Sequence, residues 1–539
     1  MKSTMQDAPL SITALFRRGA DLFPDSEVIT FEGEQARHTR YAVVAERVQR
    51  LAGALRTLGI VEGDRVATLC WNHQEHLEAY FAVPCMGAVL HTLNLRLPPA
   101  QLAQIINHAQ DRVVIVDDSL APLLASVIEH CPSIEKVIVV GSGAVTGLGD
   151  TLAYEDIIAR EPASFDWPDI DEKSAASMCY TTGTTGDPKG VAYSHRSIYL
   201  HSFAVWASFR LDDSARMLTI VPMFHVNAWG MPYAGWMVGG AQLMPGRFLH
   251  PQGLCDFIRQ EQPTFTGGVP TILTGILNHV QATGADVSSI KRAICGGSAV
   301  PATLIAAYRD VLGIELIQAW GMTETSPIGS IALPPNGTAP EDEMLYRSKT
   351  GRAVPGVELR IVDDTGAEVA HDGDAVGEIE VRGPWITASY YNSEAPEKFH
   401  DGWLRTGDVG NIDARGFVQI TDRSKDVIKS GGEWISSVEL ETLLVGHPAV
   451  AEAAVVGVHD DRWAERPLAL VVLKPGMSAT PDELREFLAP KVARWWLPER
   501  WTFVDELPKT SVGKLDKKLI RSDYGHEKFS VVELETSSR

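Results

Sequence analysis

The sequence predicts an α/β protein built on largely parallel sheets, and three observations carry that prediction. Short aliphatic runs alternate with helical patterns between residues 65 and 140, and the pattern recurs between 291 and 318, the spacing of βαβ units. From Gly351 to Ile420 the texture changes to short β-like runs divided by turns. Near Asp422-Arg423-Ser424-Lys425-Asp426 the charge density rises abruptly, and a smaller α+β pattern follows. The expected architecture is a large N-terminal domain of two αβ-type subdomains plus a small β-rich subdomain, followed by a small α+β C-terminal domain. At 539 residues the chain is long enough for two domains with a large buried core.

Taken in order, Ile12 to Leu22 predicts an amphipathic helix, and Tyr41 to Leu58 a second, ended at Gly59. Arg65 to Cys70 reads as a strand, Glu75 to Met86 as a helix and Ala88 to Thr92 as another strand. Arg112 to Val116 and Lys136 to Val140 are aliphatic strands around a helical pattern from Leu120 to about Glu129. Ala175 to Cys179 is a short buried strand. Lys291 to Cys295 enters a glycine turn, Pro301 opens a helix that Gly313 stops, and Glu315 to Gln318 returns as a strand. Val357 to Val362, Gly377 to Arg382 and Gly416 to Ile420 are β-like. Val438 to Leu444 is helical, and Ala453 to Val458 and Leu468 to Leu473 are strands. Thr480-Pro481-Asp482-Glu483 is a capping box with proline at the first helical position.

Composition excludes several function classes. A formal charge of −21 disfavours non-specific binding to nucleic acid or to an anionic membrane face. The six cysteines are scattered among apolar neighbours with no Cys-x-x-Cys pair, which fits buried thiols in a reducing cytoplasm better than disulfides or zinc. Met1 to Phe16 lacks the apolar core of a secretion signal. Met217 to Gly246 carries no Lys, Arg, Asp or Glu, yet prolines, glycines and His225 break it. A spanning helix needs about 20 apolar residues, so this segment is expected as buried strand, loop and helix lining a pocket.

The stretch Tyr180-Thr181-Thr182-Gly183-Thr184-Thr185-Gly186-Asp187-Pro188-Lys189-Gly190 brings four threonine hydroxyls and free backbone N–H groups together on one turn. Glycine lets successive N–H groups converge on an anion, and hydroxyls add donors for phosphate and a ligand for magnesium. A polyphosphate cradle is the functional reading; a polar surface loop is the other. The Walker pattern is absent, because Lys189 sits between Pro188 and Gly190 and does not lead into a helix.

That stretch resembles the signature of the adenylate-forming enzymes: acyl-CoA synthetases, luciferases and peptide-synthetase adenylation domains. Further motifs follow in the family's order. Gly296-Gly297-Ser298-Ala299 resembles its adenine-contacting turn, and Gln318-Ala319-Trp320-Gly321-Met322-Thr323-Glu324 its strand-end motif. Many members have Tyr where this chain has Trp320; a flat ring able to stack on adenine survives. The resemblance implies that Thr323 donates to the α-phosphate and that Thr184 and Glu324 hold Mg²⁺, a hard cation that prefers oxygen ligands. Asp408, in Asp401-Gly402-Trp403-Leu404-Arg405-Thr406-Gly407-Asp408, matches the ribose-binding carboxylate, with Arg423 on the same ribose. Thr181, Thr182, Gly183, Thr185, Gly186 and Lys189 complete the nucleotide set.

His225, in Val221-Pro222-Met223-Phe224-His225, matches the imidazole beside the carboxylate; alone it would be a satisfied core histidine. Val226, Trp229, Gly230, Gly268 and Gly296 are then expected around the acyl pocket. Trp229 either gates the acyl tunnel, as in some fatty-acid-activating members, or is plain core packing. Ser430-Gly431-Gly432-Glu433-Trp434 matches the loop lining the CoA channel, and Lys514 the catalytic lysine that bridges carboxylate and phosphates; a lysine beside Lys517 and Lys518 would otherwise be a solvated face. Phe81 to Pro84, Val221 to Trp229, Gly431 to Ser437 and Glu465-Arg466-Pro467 are similar to bacterial medium- and long-chain fatty acyl-CoA synthetases. The resemblance thus implies an N-terminal adenylation domain over 1–423, a hinge at 424–426 centred on Lys425, and a mobile C-terminal domain over 427–539. It implies ATP, CoA and a carboxylic acid as substrates, a cytoplasmic enzyme without a transmembrane anchor, and homodimers as often found among related fatty-acid enzymes. Ligation of a short or sulfur-containing acid, loading of a carrier protein, and non-catalytic nucleotide or acyl binding are the alternatives; Lys514, Glu324 and the threonine loop argue against the last.

Overall fold

The structure, a computed structural model, describes residues 1, 3–181, 188–363, 365–430, 433–509 and 515–534, with the backbone alone described for Glu433 and Trp434. Among the described residues there are four sheets. The first sheet-building unit runs in spatial order Thr151–Ala153, Lys136–Val140, Asp111–Asp117, Arg65–Leu69, Val89–Thr92, Ala175–Thr181 and Lys189–Ser194. All its pairs are parallel except the last. The second has a parallel centre (Glu315–Gly321, Arg292–Cys295, Phe265–Gly268, Arg216–Leu218, Ala241–Met244 and Glu27–Phe31) with antiparallel strands at both ends. The two αβ units expected from the alternating runs are therefore present.

The β-rich texture after Gly351 folds into an antiparallel sheet containing Glu358–Val362, Gly377–Arg382, Trp403–Ile412 and Val418–Arg423. The last strand begins two residues later than the sequence pattern suggests. Asp413 Oδ1 accepts from the backbone N–H groups of Arg415 and Phe417, and Gly416 takes φ +80° in that turn. It also runs on to Arg423, which sets Arg423 opposite Asp408. The fourth sheet lies after residue 427 and is led by the long hairpin Val450–Asp460 with Ala464–Leu473.

Most expected elements match within two or three residues, including Ile12–Leu22, Gln74–Cys85 and Lys136–Val140. The capping box at Thr480 and Glu483 forms as drawn. One helix is broken: the Leu120 to Glu129 pattern becomes a short helix Ala121–Ala125 between two 3₁₀ turns. Ser126 Oγ donates to Leu123 O at 2.7 Å there, a local bond that competes with helix continuation. The charge-free stretch folds as two strands, Arg216–Leu218 and Ala241–Met244, around the fully buried helix Met231–Val238. No helix among the described residues is long and apolar enough to cross a membrane. All six cysteines are free and buried.

The two large sheets share one core. Trp236 stacks on Tyr41 with centroids 3.9 Å apart, packs on Phe81, and donates its indole N–H to Phe16 O at 2.9 Å. Buried Asn72, just past strand Arg65–Leu69, reaches into the other unit: its Nδ2 donates to Thr219 O and Val221 O, and its Oδ1 accepts from Met223 N, each at 2.8 Å. Tyr80 donates its hydroxyl to Met223 O. These bonds fix the approach to His225 from outside.

Next to Asn72, at the carboxyl ends of Arg65–Leu69 and Asp111–Asp117, lies a buried charge network. His73 Nε2 meets Asp117 Oδ1 at 2.7 Å and its Nδ1 meets Glu75 Oε2 at 3.1 Å. Arg37 closes on Glu75 at 2.9 Å. Burial pulls the His73 imidazole down, but Asp117, Cys70 and Glu75 outweigh it and hold the group well above its ordinary value.

Candidate active site

The parallel strands of both units end on one cleft of about 1550 Å³. Thr181 and Lys189 line it from the first unit, and they pair across antiparallel strands on either side of the threonine stretch. Thr182, Gly183, Thr184, Thr185 and Gly186 lie outside the described residues. Gly296, Gly297, Ser298 and Ala299 line it after strand Arg292–Cys295, and Gln318, Ala319, Trp320, Gly321, Met322, Thr323 and Glu324 after Glu315. Ligands in α/β sheets bind at such carboxyl ends. Asp408, Arg423 and Lys425 close the cleft from the β-rich sheet and the junction after it.

Two polar clusters stand in this cleft. In one, the nearly buried Asp408 carboxylate receives Trp320 Nε1–H at 2.8 Å on Oδ2 and pairs through Oδ1 with the Arg423 guanidinium at 2.6 Å. The benzo edge of Trp320 rests on Gly329, where there is no room for a Cβ. Asp408 and Gly329 together fix the plane of the indole. In the other, buried Glu324 accepts from the Tyr390 hydroxyl at 2.7 Å on Oε1. The Tyr390 ring lies 4.9 Å from Lys189 Nζ, and Lys189 is 3.7 Å from Glu397. Burial, then the Glu324 charge, pushes the Tyr390 phenol up, so it stays a donor. Tyr193 donates to Thr323 O at 2.9 Å, fixing the turn that carries Glu324.

Around Lys425, burial lowers the ammonium pKa, and nearby Arg423, Arg521 and Lys398 push in the same direction against Asp426. Lys425 and Lys398 thus add positive charge to this end of the cleft, beside Arg423 paired with Asp408 and Arg521 paired with Asp426. Lys509 and Leu515, which flank residues 510–514, line the same cleft; Lys514 itself lies outside the described residues. Lys517 is not a solvated lysine. It is buried, paired with Glu441 at 2.7 Å, and donates to Ser437 Oγ at 2.6 Å. Burial alone would lower it; Glu441 and Asp422 outweigh that and raise it. The junction is tied further by Ser437 N donating to Asp422 Oδ2 at 2.5 Å and by Arg521 on Asp426 at 2.9 Å.

The apolar end of the cleft holds His225, Val226, Trp229 and Phe224, and reaches Val205 and Phe209 on helix His195–Phe209. Gly230 and Gly268 are buried behind this lining: Gly230 abuts His201 and Gly268 abuts Leu273. Val226, Asn227, Ala228 and Trp229 have φ of +47°, +51°, +50° and +58°. Left-handed backbone costs about 1–2 kcal/mol for each residue bearing a Cβ, so the surroundings must impose it. Ser430, from the expected CoA loop, is buried and accepts from Arg466 Nη1 at 3.1 Å, away from the cleft lining. Gly431 and Gly432 lie outside the described residues, and Glu433 and Trp434 contribute backbone to the strand Glu433–Ile435.

A family model described as "AMP-binding enzyme" matches residues 16–391, and a second, "AMP-binding enzyme C-terminal domain", matches 439–514. The chain belongs to the AMP-binding enzyme family. This AMP-binding enzyme is 44% identical over 532 residues to a long-chain-fatty-acid–CoA ligase of Thermus thermophilus, covering 97% of each chain. It is 42% identical over 533 residues to a 3-methylmercaptopropionyl-CoA ligase of Ruegeria pomeroyi, covering 97% of this chain and 99% of that one. Among solved structures, an anthranilate CoA ligase in complex with anthranoyl-AMP superposes with a TM-score of 0.88 at 27% identity, over 98% of this chain and all of that one. The α/β fold with a large N-terminal part and a smaller C-terminal part is thereby that of the adenylate-forming ligases. Tyr390 lines the cleft and Tyr193 supports the Thr323 turn from behind it without any motif in the sequence having marked them.

Proposed function

We propose that this AMP-binding enzyme joins a medium- or long-chain fatty acid to CoA through an acyl-adenylate, releasing AMP and pyrophosphate. The observation that carries the reading is the continuity of one cleft. Its charged end holds Lys189, Glu324, Asp408, Arg423 and Lys425, and its apolar end runs past Trp229 to Val205 and Phe209. An acid with a carboxylate at the junction and an alkyl chain in the apolar end suits both halves.

In this reading Trp320, oriented by Asp408, offers its ring to adenine, and Asp408 and Arg423 take the ribose diol. Thr181, the threonine stretch and Lys189 hold the phosphates, with Gly297, Ser298 and Ala299 along the adenine. Mg²⁺ fits the donor set: Glu324 is a buried carboxylate with one oxygen on Tyr390, and Thr184, outside the described residues, carries a hydroxyl. When bound with ATP, the ion would neutralise charge on the phosphates. Lys514 approaches the carboxylate and α-phosphate, stabilising charge as pyrophosphate departs. The domain over 427–539 then turns about Lys425 within a hinge at 424–426. This withdraws Lys514 and brings Ser430, Gly431, Gly432, Glu433 and Trp434 to the cleft for the CoA thiol. Buried free thiols support a cytoplasmic setting, and resemblance to fatty-acid enzymes supports a homodimer.

The test is ATP–pyrophosphate exchange across monocarboxylic acids from short to long, followed by AMP release with CoA. Exchange and CoA-dependent AMP release with fatty acids is the expected outcome. Failure to consume ATP with any acid offered would overturn the reading. The identity with the methylmercaptopropionyl-CoA ligase supports a second reading, a short sulfur-containing acid, which the same series distinguishes by its optimum.

A further inference from the structure

We infer that His108 is a positioning residue for the phosphate-binding stretch: one imidazole holds both the strand on which that stretch begins and the strand on which it ends. This rests on the reading above, in which Thr181, the threonine stretch and Lys189 hold the phosphates of ATP.

The strands Ala175–Thr181 and Lys189–Ser194 run antiparallel, with Tyr180 opposite Gly190 and Thr181 opposite Lys189. His108 stands near the end of helix Pro99–Ala109, and its Nδ1 lies 2.7 Å from the Tyr180 hydroxyl. Burial, and then the Asp111 charge, pushes the Tyr180 phenol up, so it keeps a hydrogen to donate. The same imidazole meets two rings edge-on, Tyr180 with centroids 5.7 Å apart and Tyr391 with centroids 5.6 Å apart. Both fall in the range of favourable aromatic pairs. Tyr391 in turn donates its backbone N–H to Gly190 O at 2.8 Å. His108 thus reaches the entry strand directly and the exit strand through Tyr391.

The Tyr180–Gly190 pair is itself closely packed. A Cβ on Gly190 would stand 3.0 Å from Tyr180 Cζ, so the phenol ring lies against the opposite strand. The Tyr180 ring also packs on buried His91, with centroids 5.0 Å apart, and His91 Nδ1 meets Asp111 Oδ2 at 2.8 Å. Tyr390, the neighbour of Tyr391, bonds Glu324 and lies 4.9 Å from Lys189 Nζ. The dipeptide Tyr390-Tyr391 therefore sets Glu324, Lys189 and the exit strand relative to one another. Thr182, Thr184 and Thr185 are carried between the two strand ends. Where those ends are held limits where the hydroxyls can reach, and a preset spacing leaves less freedom to lose when a polyanion binds.

The test is a double-mutant cycle in ATP–pyrophosphate exchange. It compares wild type with Tyr180→Phe, which keeps the ring and removes the hydroxyl, with His108→Leu, and with the two together. Melting temperatures verify folding. Each single variant should raise the KM for ATP about three- to tenfold, the worth of one hydrogen bond, with the KM for the acid unchanged. The double variant should be no worse than the more impaired single one. A merely structural role would lower the melting temperature and leave the KM for ATP unchanged, or raise both KM values together. Either result in folded variants overturns the assignment, as does full additivity in the cycle. If His108→Leu does not fold, Tyr180→Phe decides alone by the same criterion. An unchanged KM for ATP in a variant carrying both Thr184→Ala and Thr185→Ala overturns the phosphate reading instead.

Discussion

Tyr390 donates its hydroxyl to Glu324 Oε1 across 2.7 Å, while its ring lies 4.9 Å from the Lys189 ammonium. One aromatic residue thus touches both an anionic and a cationic group of the cleft. Tyr390→Phe keeps the ring and removes only the donor. A hydrogen bond to a charged group contributes about 1.5–3 kcal/mol, so kcat/KM for ATP should fall about tenfold to a hundredfold. The Mg²⁺ concentration for half-maximal rate should rise with it. An unchanged Mg²⁺ titration would remove Tyr390 from the site.

Asp408 carries the Trp320 indole and the Arg423 guanidinium on separate oxygens. Asp408→Ala frees both and removes the acceptor proposed for the ribose. The KM for ATP should rise by at least about tenfold, on the scale of one lost charge-assisted hydrogen bond, with the KM for the acid little changed. Equal rises for both substrates would point to a collapsed cleft rather than a lost ribose contact.

Lys514→Ala should lower ATP–pyrophosphate exchange by about a hundredfold or more, the scale of a lost transition-state donor. Thioester formation from premade acyl-adenylate and CoA should be largely spared. Surviving exchange would show that the lysine assigned by resemblance is not the catalytic one.

Stability should depend on pH through His73. Its folded pKa stands well above the ordinary 6.5. The ion pair therefore stabilises fully below about pH 6.5 and fades as pH rises through the folded value. Glu75 works in the other direction: burial opposes its charge, but His73 and Arg37 hold it down to about 2. Its contribution is present above about 4.5 and is lost only as pH falls toward 2. Urea midpoints of wild type should drop from mildly acidic to alkaline pH more than those of His73→Gln. At acidic pH the variant should be less stable by about 3 kcal/mol, as when a buried pair loses one partner. Parallel pH profiles would sink the assignment.

Much of the fold was legible because its signals are local. Periodicity in Ile12–Leu22, aliphatic runs such as Lys136–Val140 and the Thr480 box each specify an element without distant partners. The cleft's motifs were legible for the same reason, since Gln318 to Glu324 and Gly296 to Ala299 are contiguous. Tyr390 was not, because its partner Glu324 is 66 residues away and no spacing links them. The left-handed turn at Val226 to Trp229 was equally hidden, since Val, Ala and Trp normally oppose that backbone.

The three bonds that Asn72 makes with residues 219, 221 and 223 bear on how the protein denatures. Because Trp236 and Asn72 stitch both large sheets into a single interior, neither sheet can melt while the other stays intact. Calorimetry should therefore give one endotherm for both, and a fragment truncated between them should not fold alone.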